Sequence, residues 1–368
     1  MFQKRIKTKR DYTMVTIWDV AADAGVSKST VSLVLNSSPL VKEETRRRVM
    51  KSIKALNYVP NYSARSLIRR SNNSIGIIHM SRGARNTDHR YEWSYSSDSF
   101  THDVEEGVFQ AIAQQDLDLS VMKDRYDLSH DIHNIPGIIR SRRVDGAIFI
   151  GGFDDEDVVE VIRGLDIPAV LVVSSWAADG VDTVFHSSYE GSRLAFKKLI
   201  ETGHKRICLL NCPKSYFRVW PERVRGVRDA AAECGYALDE RLLLSAEKNT
   251  PQSGYMAFKE LLNSGLMPDA VLTANNEMAM GLQRCLYELN IRIPEDISVI
   301  CYEDSSFCGN ASPALSAVNV EKELIGKTAF QFLLNRINDP QHPIQTFTSA
   351  PHLIMRESLL DRRQLPVP

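Results

Sequence analysis

The chain is 368 residues long, 43% hydrophobic and 25% charged, with a formal net charge of −1. That length holds two or three domains with a sizeable core, and no apolar run reaches the length of a membrane span. The near-zero charge is an average over unlike parts: residues 1–70 carry fifteen Lys and Arg against five Asp and Glu, and the remainder is acidic. A basic head on an acidic body suits a polyanion that meets the head alone. The six cysteines, at 208, 212, 234, 285, 301 and 308, lie in apolar segments without CxxC spacing. With no signal-peptide h-region after the basic start, reduced and mostly buried thiols in a cytoplasmic protein are expected.

In chain order, residues 1–13 read as a disordered basic arm, and Met14 offers a second start. Residues 16–57 read as three short helices. In "TIWDVAADAGVSKSTVSLVLN", Thr16 caps the first helix and Val20, Ala21 and Ala24 form its small apolar face. Gly25 permits a sharp turn, Val26 plugs the angle and Ser27 caps the second helix. Val31, Val34 and Leu35 point inward at helical spacing, leaving Lys28, Ser29, Ser32, Leu33 and Asn36 on the outer face. A small-residue helix, a glycine turn and a second helix with a polar outer face make a DNA-binding helix-turn-helix.

Asn61 to about Asn73 reads as a linker with one helical turn. From Ile75, apolar runs alternate with amphipathic helices. "SIGIIHM", "VDGAIFIGG", "IPAVLVVSS", "KRICLLN", "DAVLTAN" and "ISVICYED" read as buried strands. "DVEEGVFQAIAQQ", "EGSRLAFKKLIETG", "VRGVRDAAAECG", "SGYMAFKELLNSG" and "EMAMGLQRCLYELN" read as the helices between them. This is the alternation of parallel sheets covered on both faces, with too many units for one sheet, so two lobes are expected. Asp127, His130, Asp131 and His133 cluster without a known metal spacing and read as a polar loop. No GxGxxG follows a strand, and no GxSxG elbow or P-loop lysine occurs, so neither an enzyme nor a cofactor is expected.

The stretches "DVAADAGVSKSTVSLVLN", "VKEETRRRVMKSIKALNYVPN" and "ARSL" resemble, in order and spacing, the head of the lactose-repressor (LacI) family of bacterial transcription regulators. The likeness resumes with "SIGII", "VDGAIFI", "LIETGHKRICLL", "IPEDISVICYEDS", "PALSAVNVEKELIGKTAFQFLLNRI" and "LIMRESL", and covers about Val15 to Leu360. It implies an N-terminal all-α helix-turn-helix domain followed by a two-lobed α/β periplasmic-binding-protein-like domain with parallel sheets. The expected bounds are 14–60 for the head, 61–73 for a hinge helix, 74–361 for the sensor and 362–368 for a tail. Lobe one takes 74–186 and 320–347; lobe two takes 187–319 and 348–361.

The resemblance also implies roles for residues. Lys28, Ser29 and Leu33 would read bases in the major groove, Lys28 through guanine O6 and N7 and Leu33 through a thymine methyl. Thr16, Ser32, Asn36 and Thr45 would donate to phosphates. Leu67 would wedge between base pairs in the minor groove with Arg65 beside it, which accounts for a leucine inside a basic linker. In the cleft between lobes, Arg223, Asn275, Glu303, Trp220 and Phe217 would contact a small-molecule effector, with Asp304 next to Glu303. Glu303 stands where the family usually has Asp, Val173 where sugar-responsive members have a polar residue, and Ser187 where many relatives have Asp. The loop from His79 to Phe100, with Tyr91, Trp93 and Tyr95, either reaches the cleft mouth or lies on the surface.

The implied protein is a repressor, a cytosolic homodimer on a pseudopalindromic operator. Its effector is a sugar or sugar derivative, the alternative being a nucleoside or purine; a solute-binding protein without DNA function does not fit the basic head. A dimer is expected because two half-sites need two heads, and the resemblance implies that the apolar face of "ELIGKTAFQFLLNRI", at Leu324, Ile325, Ala329, Phe332 and Leu333, is buried between lobes. The chain reaches Pro368 without a heptad tail, so no coiled-coil tetramer is expected.

Overall fold

The computed structural model describes residues 15–35, 38–56, 58, 73–81, 99–115, 117, 119–128, 132–142, 144–151, 156–174, 176–212, 214 and 218–364. Asn36, Arg65, Leu67, Phe217, His130, Asp131, the aromatic residues of the 82–98 loop and the N-terminal arm lie outside them. The chain divides into two compact units, Met1–Asn72 and Asn73–Pro368.

The first unit has three helices, α1 (Ile17–Ala24), α2 (Lys28–Leu35) and α3 (Glu43–Ala55). A capping box starts α1: the Asp19 amide donates to Thr16 Oγ1 at 3.4 Å and the Thr16 amide donates to Asp19 Oδ2 at 2.7 Å. Gly25 ends it at φ 62°, a left-handed position a side chain would strain. Ser27 Oγ accepts from the Thr30 amide at 3.1 Å, opening α2. Val20, Ala21, Ala24, Val31, Val34 and Val49 form a small core, with Leu35 half-buried against it. The small residues of α1 let α2 and α3 approach closely around so few side chains.

The second unit contains two six-stranded sheets. The first orders β11 (Thr346–Ser349), β5 (Asp182–His186), β4 (Ala169–Ser174), β3 (Gly146–Gly151), β1 (Ser74–Ser81) and β2 (Ser120–Asp127), all parallel. The second orders β12 (His352–Ile354), β10 (Ser316–Asn319), β9 (Ser298–Tyr302), β8 (Ala270–Thr273), β6 (Ile207–Asn211) and β7 (Leu243–Ser245); only β12 is antiparallel. The central strands are buried on both faces, as uninterrupted Val, Ile and Leu runs require.

The helices are α4 (Ser99–Gln114), α5 (Ile135–Arg142), α6 (Glu156–Arg163), α7 (Ser188–Glu201), α8 (Val219–Glu233), α9 (Pro251–Asn263), α10 (Asn276–Glu288), α11 (Ser306–Asn310) and α12 (Lys322–Asn338). The chain passes between sheets three times: after β5, after β10 and after β11. Two of these passages are braced. Tyr302 Oη donates to the Ser187 carbonyl at 3.1 Å, and Ser349 Oγ donates to the Val320 carbonyl at 2.7 Å.

The apolar face expected on α12 lies inside the chain, apart from Leu324, which is 43% exposed, and the half-buried Phe332. Ile325, Ala329, Phe330 and Leu333 are fully buried in the chain's own core, where α12 packs against α4 and sheet one. Two glycines allow this packing. A Cβ on Gly326 would meet the Val104 carbonyl oxygen at 1.9 Å, and one on Gly107 would meet the Glu323 carbonyl oxygen at 2.1 Å. The buried positions Ile325, Gly326, Ala329, Phe330 and Leu333 recur at helical spacing, while Glu323, Leu324 and Gln331 are exposed on the other side.

At its other end, α12 is clamped by a buried ion pair. Arg336 donates to both carboxylate oxygens of Asp182, at 3.0 and 2.9 Å, and Asp182 is 1% exposed. The Gln345 amide donates to the same carboxylate at 2.7 Å. All six cysteines are free, and all but Cys234 are buried. Among the described residues, no helix is long and apolar enough to cross a membrane.

Candidate DNA-reading face and effector cleft

On the head, Lys28, Ser29 and Leu33 are exposed on one side of α2, opposite Val31 and Val34. Ser32 and Thr45 are half-buried. The Thr16 hydroxyl already donates to Asp19 Oδ2 at 2.7 Å, so a phosphate would have to compete with its own capping box. One residue was passed over in the sequence. Trp18 is 65% exposed on α1, and Lys28 Nζ lies 5.3 Å from its ring centroid. The indole gives the lysine a flat, apolar platform that limits where its charge can point. An exposed tryptophan in so small a domain was the available signal.

In the body, Arg223 on α8 is 4% exposed. Its guanidinium carbon stacks 4.3 Å from the Tyr302 ring centroid, and Nη2 lies 3.9 Å from Glu303 Oε1. Glu303 follows β9 with φ 70°, a left-handed backbone that a side chain adopts at a cost and that aims the residue away from the strand. Trp220 lies three residues before Arg223 on α8, and the indole N–H of Trp220 and the Nε of Arg223 are buried with no hydrogen-bond partner among the described residues. The structure therefore brings Arg223, Trp220 and Glu303 together at the carboxyl ends of sheet-two strands.

Two other candidates are committed to the fold. Asn275 caps α10: its Oδ1 accepts from the Met278 amide at 2.9 Å, while its Nδ2 donates to Asn249 Oδ1 at 2.7 Å. Asp304 accepts two hydrogen bonds from Arg356, at 2.6 and 3.0 Å. Ser187 caps α7 by accepting from the Glu190 amide at 3.1 Å, and Val173 is buried in the lobe-one core.

His186 and Lys322 were not singled out in the sequence. His186 ends β5, is fully buried, and neither ring nitrogen has a hydrogen-bond partner among the described residues. It sits between Phe100 and Tyr302, with centroid separations of 5.5 and 6.0 Å. Burial, then the charges of Arg223 and Lys322, push its pKa down to about 3. Lys322 opens α12 with its Nζ 2.5 Å from Asp103 Oδ2, an ion pair whose approach is not aligned as a hydrogen bond.

His186 predicts a pH dependence. Neutral when folded, it is protonated near pH 6.5 when unfolded, so its contribution to stability is complete above that pH and is lost as pH falls toward 3. Denaturant unfolding of the wild type between pH 6.5 and 4.5 is expected to fall about 1.4 kcal/mol per pH unit more steeply than that of His186→Phe. Parallel slopes would show that the imidazole is not held neutral.

Further out, Arg218 stacks 3.9 Å from the Trp176 ring centroid and lies 3.9 Å from Glu156, so a residue leading into α8 touches lobe one. A separate cavity of about 460 Å³ opens beside β1, β2 and α4, lined by His79, Thr101, His102, Glu105, Lys123, Asp124 and Arg125. Its buried Glu105 accepts from or shares a proton with His79 Nε2 at 2.6 Å and pairs with Lys123.

Comparison with known proteins gives the same division. Residues 16–61 match the family of bacterial regulatory proteins of the lacI type, and residues 196–359 match a periplasmic binding protein-like domain. The HTH-type transcriptional repressor PurR of Vibrio vulnificus (strain CMCP6) is 32% identical over 351 residues, covering 94% of this chain and 99% of that protein. The Lac repressor dimer bound to operator and the anti-inducer ONPF superposes with a TM-score of 0.77 at 25% identity, covering 94% of this chain and 99% of the other. The transcriptional regulator CelR in complex with cellobiose has a TM-score of 0.66 at 28% identity, covering 94% of this chain and 100% of that one.

Proposed function

The chain belongs to the LacI family of DNA-binding transcriptional repressors, and from that premise we propose that it reads its operator through α2 and is controlled by a small molecule bound beside Arg223. It acts by binding rather than by catalysis. The observation that carries the effector reading is a guanidinium 4% exposed, stacked on Tyr302, with an unused N–H. A buried donor without a partner is costly unless something else satisfies it. The CelR complex holds cellobiose, and a sugar or sugar derivative is the first reading for this cleft. A purine is the second, favoured by the identity to the PurR repressors.

The coupling follows from the topology. Lobe closure around the effector turns lobe one, and lobe one continues directly from the linker at residue 73. A ligand shifts DNA affinity only by its differential affinity for the two lobe arrangements. A DNA target supports a cytoplasmic location for it. In the head, Lys28→Ala is expected to cost about 1–3 kcal/mol at the contacted base of each half-site and to relax the choice there. Operator selection with both proteins checks it; an equal loss on operator and random duplex would assign Lys28 to phosphates instead.

The Lac repressor binds its operator as a dimer, and two half-sites need two heads. We place the partner on the outer face of α9 and α10. Met256 on α9 and Met280 and Tyr287 on α10 are 44%, 37% and 77% exposed, and the seven-residue spacing of the last two puts them on one helix face. Met280→Glu is expected to turn dimer into monomer in sedimentation at micromolar concentration, with the circular dichroism of the body unchanged. An intact dimer would move the interface elsewhere.

A further inference from the structure

We propose that the effector is an oxyanion, a metabolite carrying a carboxylate or a phosphate group, held by Arg223 and Lys322. The proposal rests on the cleft reading above and names its ligand class. The argument is a balance of donors and acceptors. Arg223 Nε and Trp220 Nε1 are buried donors without partners among the described residues. Lys322 is 5% exposed; an ammonium has three N–H groups, and Asp103 Oδ2, at 2.5 Å, accounts for one at most. His186 brings two unpartnered ring nitrogens to the same place, one of which donates in the neutral form.

Most acceptors are engaged; among the described residues the second His186 ring nitrogen and Ser188 Oγ are the buried exceptions. Asp304 is held by Arg356, the Asn275 carbonyl caps α10, and Val173 has no polar side-chain atom. Glu303 faces Arg223. A neutral polyol brings one hydroxyl proton for every oxygen, and each needs an acceptor when buried. A carboxylate or a phosphate brings oxygens that only accept. The guanidinium fork of Arg223 matches two of them, and Lys322 supplies a point charge. Both cations are buried, where charge–charge attraction is screened least.

The test uses the full-length protein, read by tryptophan fluorescence and thermal unfolding. Potassium phosphate and sulfate are titrated against chloride at constant ionic strength. Glucose, adenine, gluconate and glucose 6-phosphate are then compared, the last two separating a carboxylate from a phosphate ligand. We expect a saturable response to at least one oxyanion, none to glucose, and roughly tenfold weaker binding in Lys322→Gln than in Lys322→Arg. The absence of a saturable response to any of the four anions overturns the proposal. So does a response to glucose or to a purine base alone; if Arg223→Ala removes that response, the cleft reading stands and only the ligand class falls. A response that survives Arg223→Ala puts binding outside the cleft and sinks both.

Discussion

Arg223→Ala is expected to abolish the response of operator binding to the effector while leaving effector-free binding to DNA intact. The guanidinium touches Tyr302 and approaches Glu303, both in the sensor, and neither belongs to the head. Truncation removes the donors that meet the ligand and leaves its oxygens unpaired, which costs about 2–5 kcal/mol in comparable buried charge pairs. Effector affinity should therefore fall by roughly two to three orders of magnitude at the middle of that range. Arg223→Lys keeps the charge but loses the fork and the flat stack on the ring, so it should fall between the two. Titrating effector into operator-bound protein by fluorescence anisotropy measures all three. An unchanged midpoint in Arg223→Ala would remove this residue from the site.

Arg336→Met is expected to be the most destabilising single change outside the cleft. It leaves Asp182, 1% exposed, with its charge and without its two best donors. Breaking a buried pair from one side costs about 3–5 kcal/mol, because the desolvated charge remains. Arg336 also donates to the carbonyls of Pro340, His342 and Pro343, so the turn leading to β11 loosens at the same time. Replacing both partners by Leu removes the stranded charge and should recover part of the loss. Denaturant unfolding of the single and double variants checks this; a loss in Arg336→Met below about 1 kcal/mol would mean that water already reaches the carboxylate.

The sheets were legible where a strand is buried on both faces. "GAIFIG", "ICLLN" and "SVICY" are uninterrupted apolar runs, and they are β3, β6 and β9. β2 was missed because it is an edge strand whose sequence, "SVMKDRYD", carries Lys123, Asp124 and Arg125 with only Tyr126 buried. On α12, the apolar positions Ile325, Ala329 and Leu333 were legible at helical spacing, but their cover was not. Periodicity reports that a helix is apolar, not what covers it, and α4 covers this one through the bare backbones of Gly107 and Gly326.

In the cleft, Arg223 was read from the family resemblance, Trp220 from its place just before Arg223, and Glu303 from the end of its strand; the structure sets Arg223 and Glu303 3.9 Å apart. His186 and Lys322 could not be read in this way. They are 136 positions apart in a chain that changes sheets between them, and each alone looks like an ordinary polar residue beside an apolar segment. Asn275 was read as a ligand contact because it ends a strand; the same position also starts a helix, and the capping role takes its amide.

The three passages between sheets set an order of events during synthesis. Sheet one lacks its edge until Thr346–Ser349 has been made, and sheet two lacks β12 until His352–Ile354 follows. Neither lobe is a contiguous stretch that could finish early, and both close within the last stretch of the chain. The head, by contrast, needs nothing beyond α3, which ends at Ala55. As domains fold in the order in which they emerge, each nascent chain carries a folded DNA-reading head for most of its synthesis before it has a sensor to govern it.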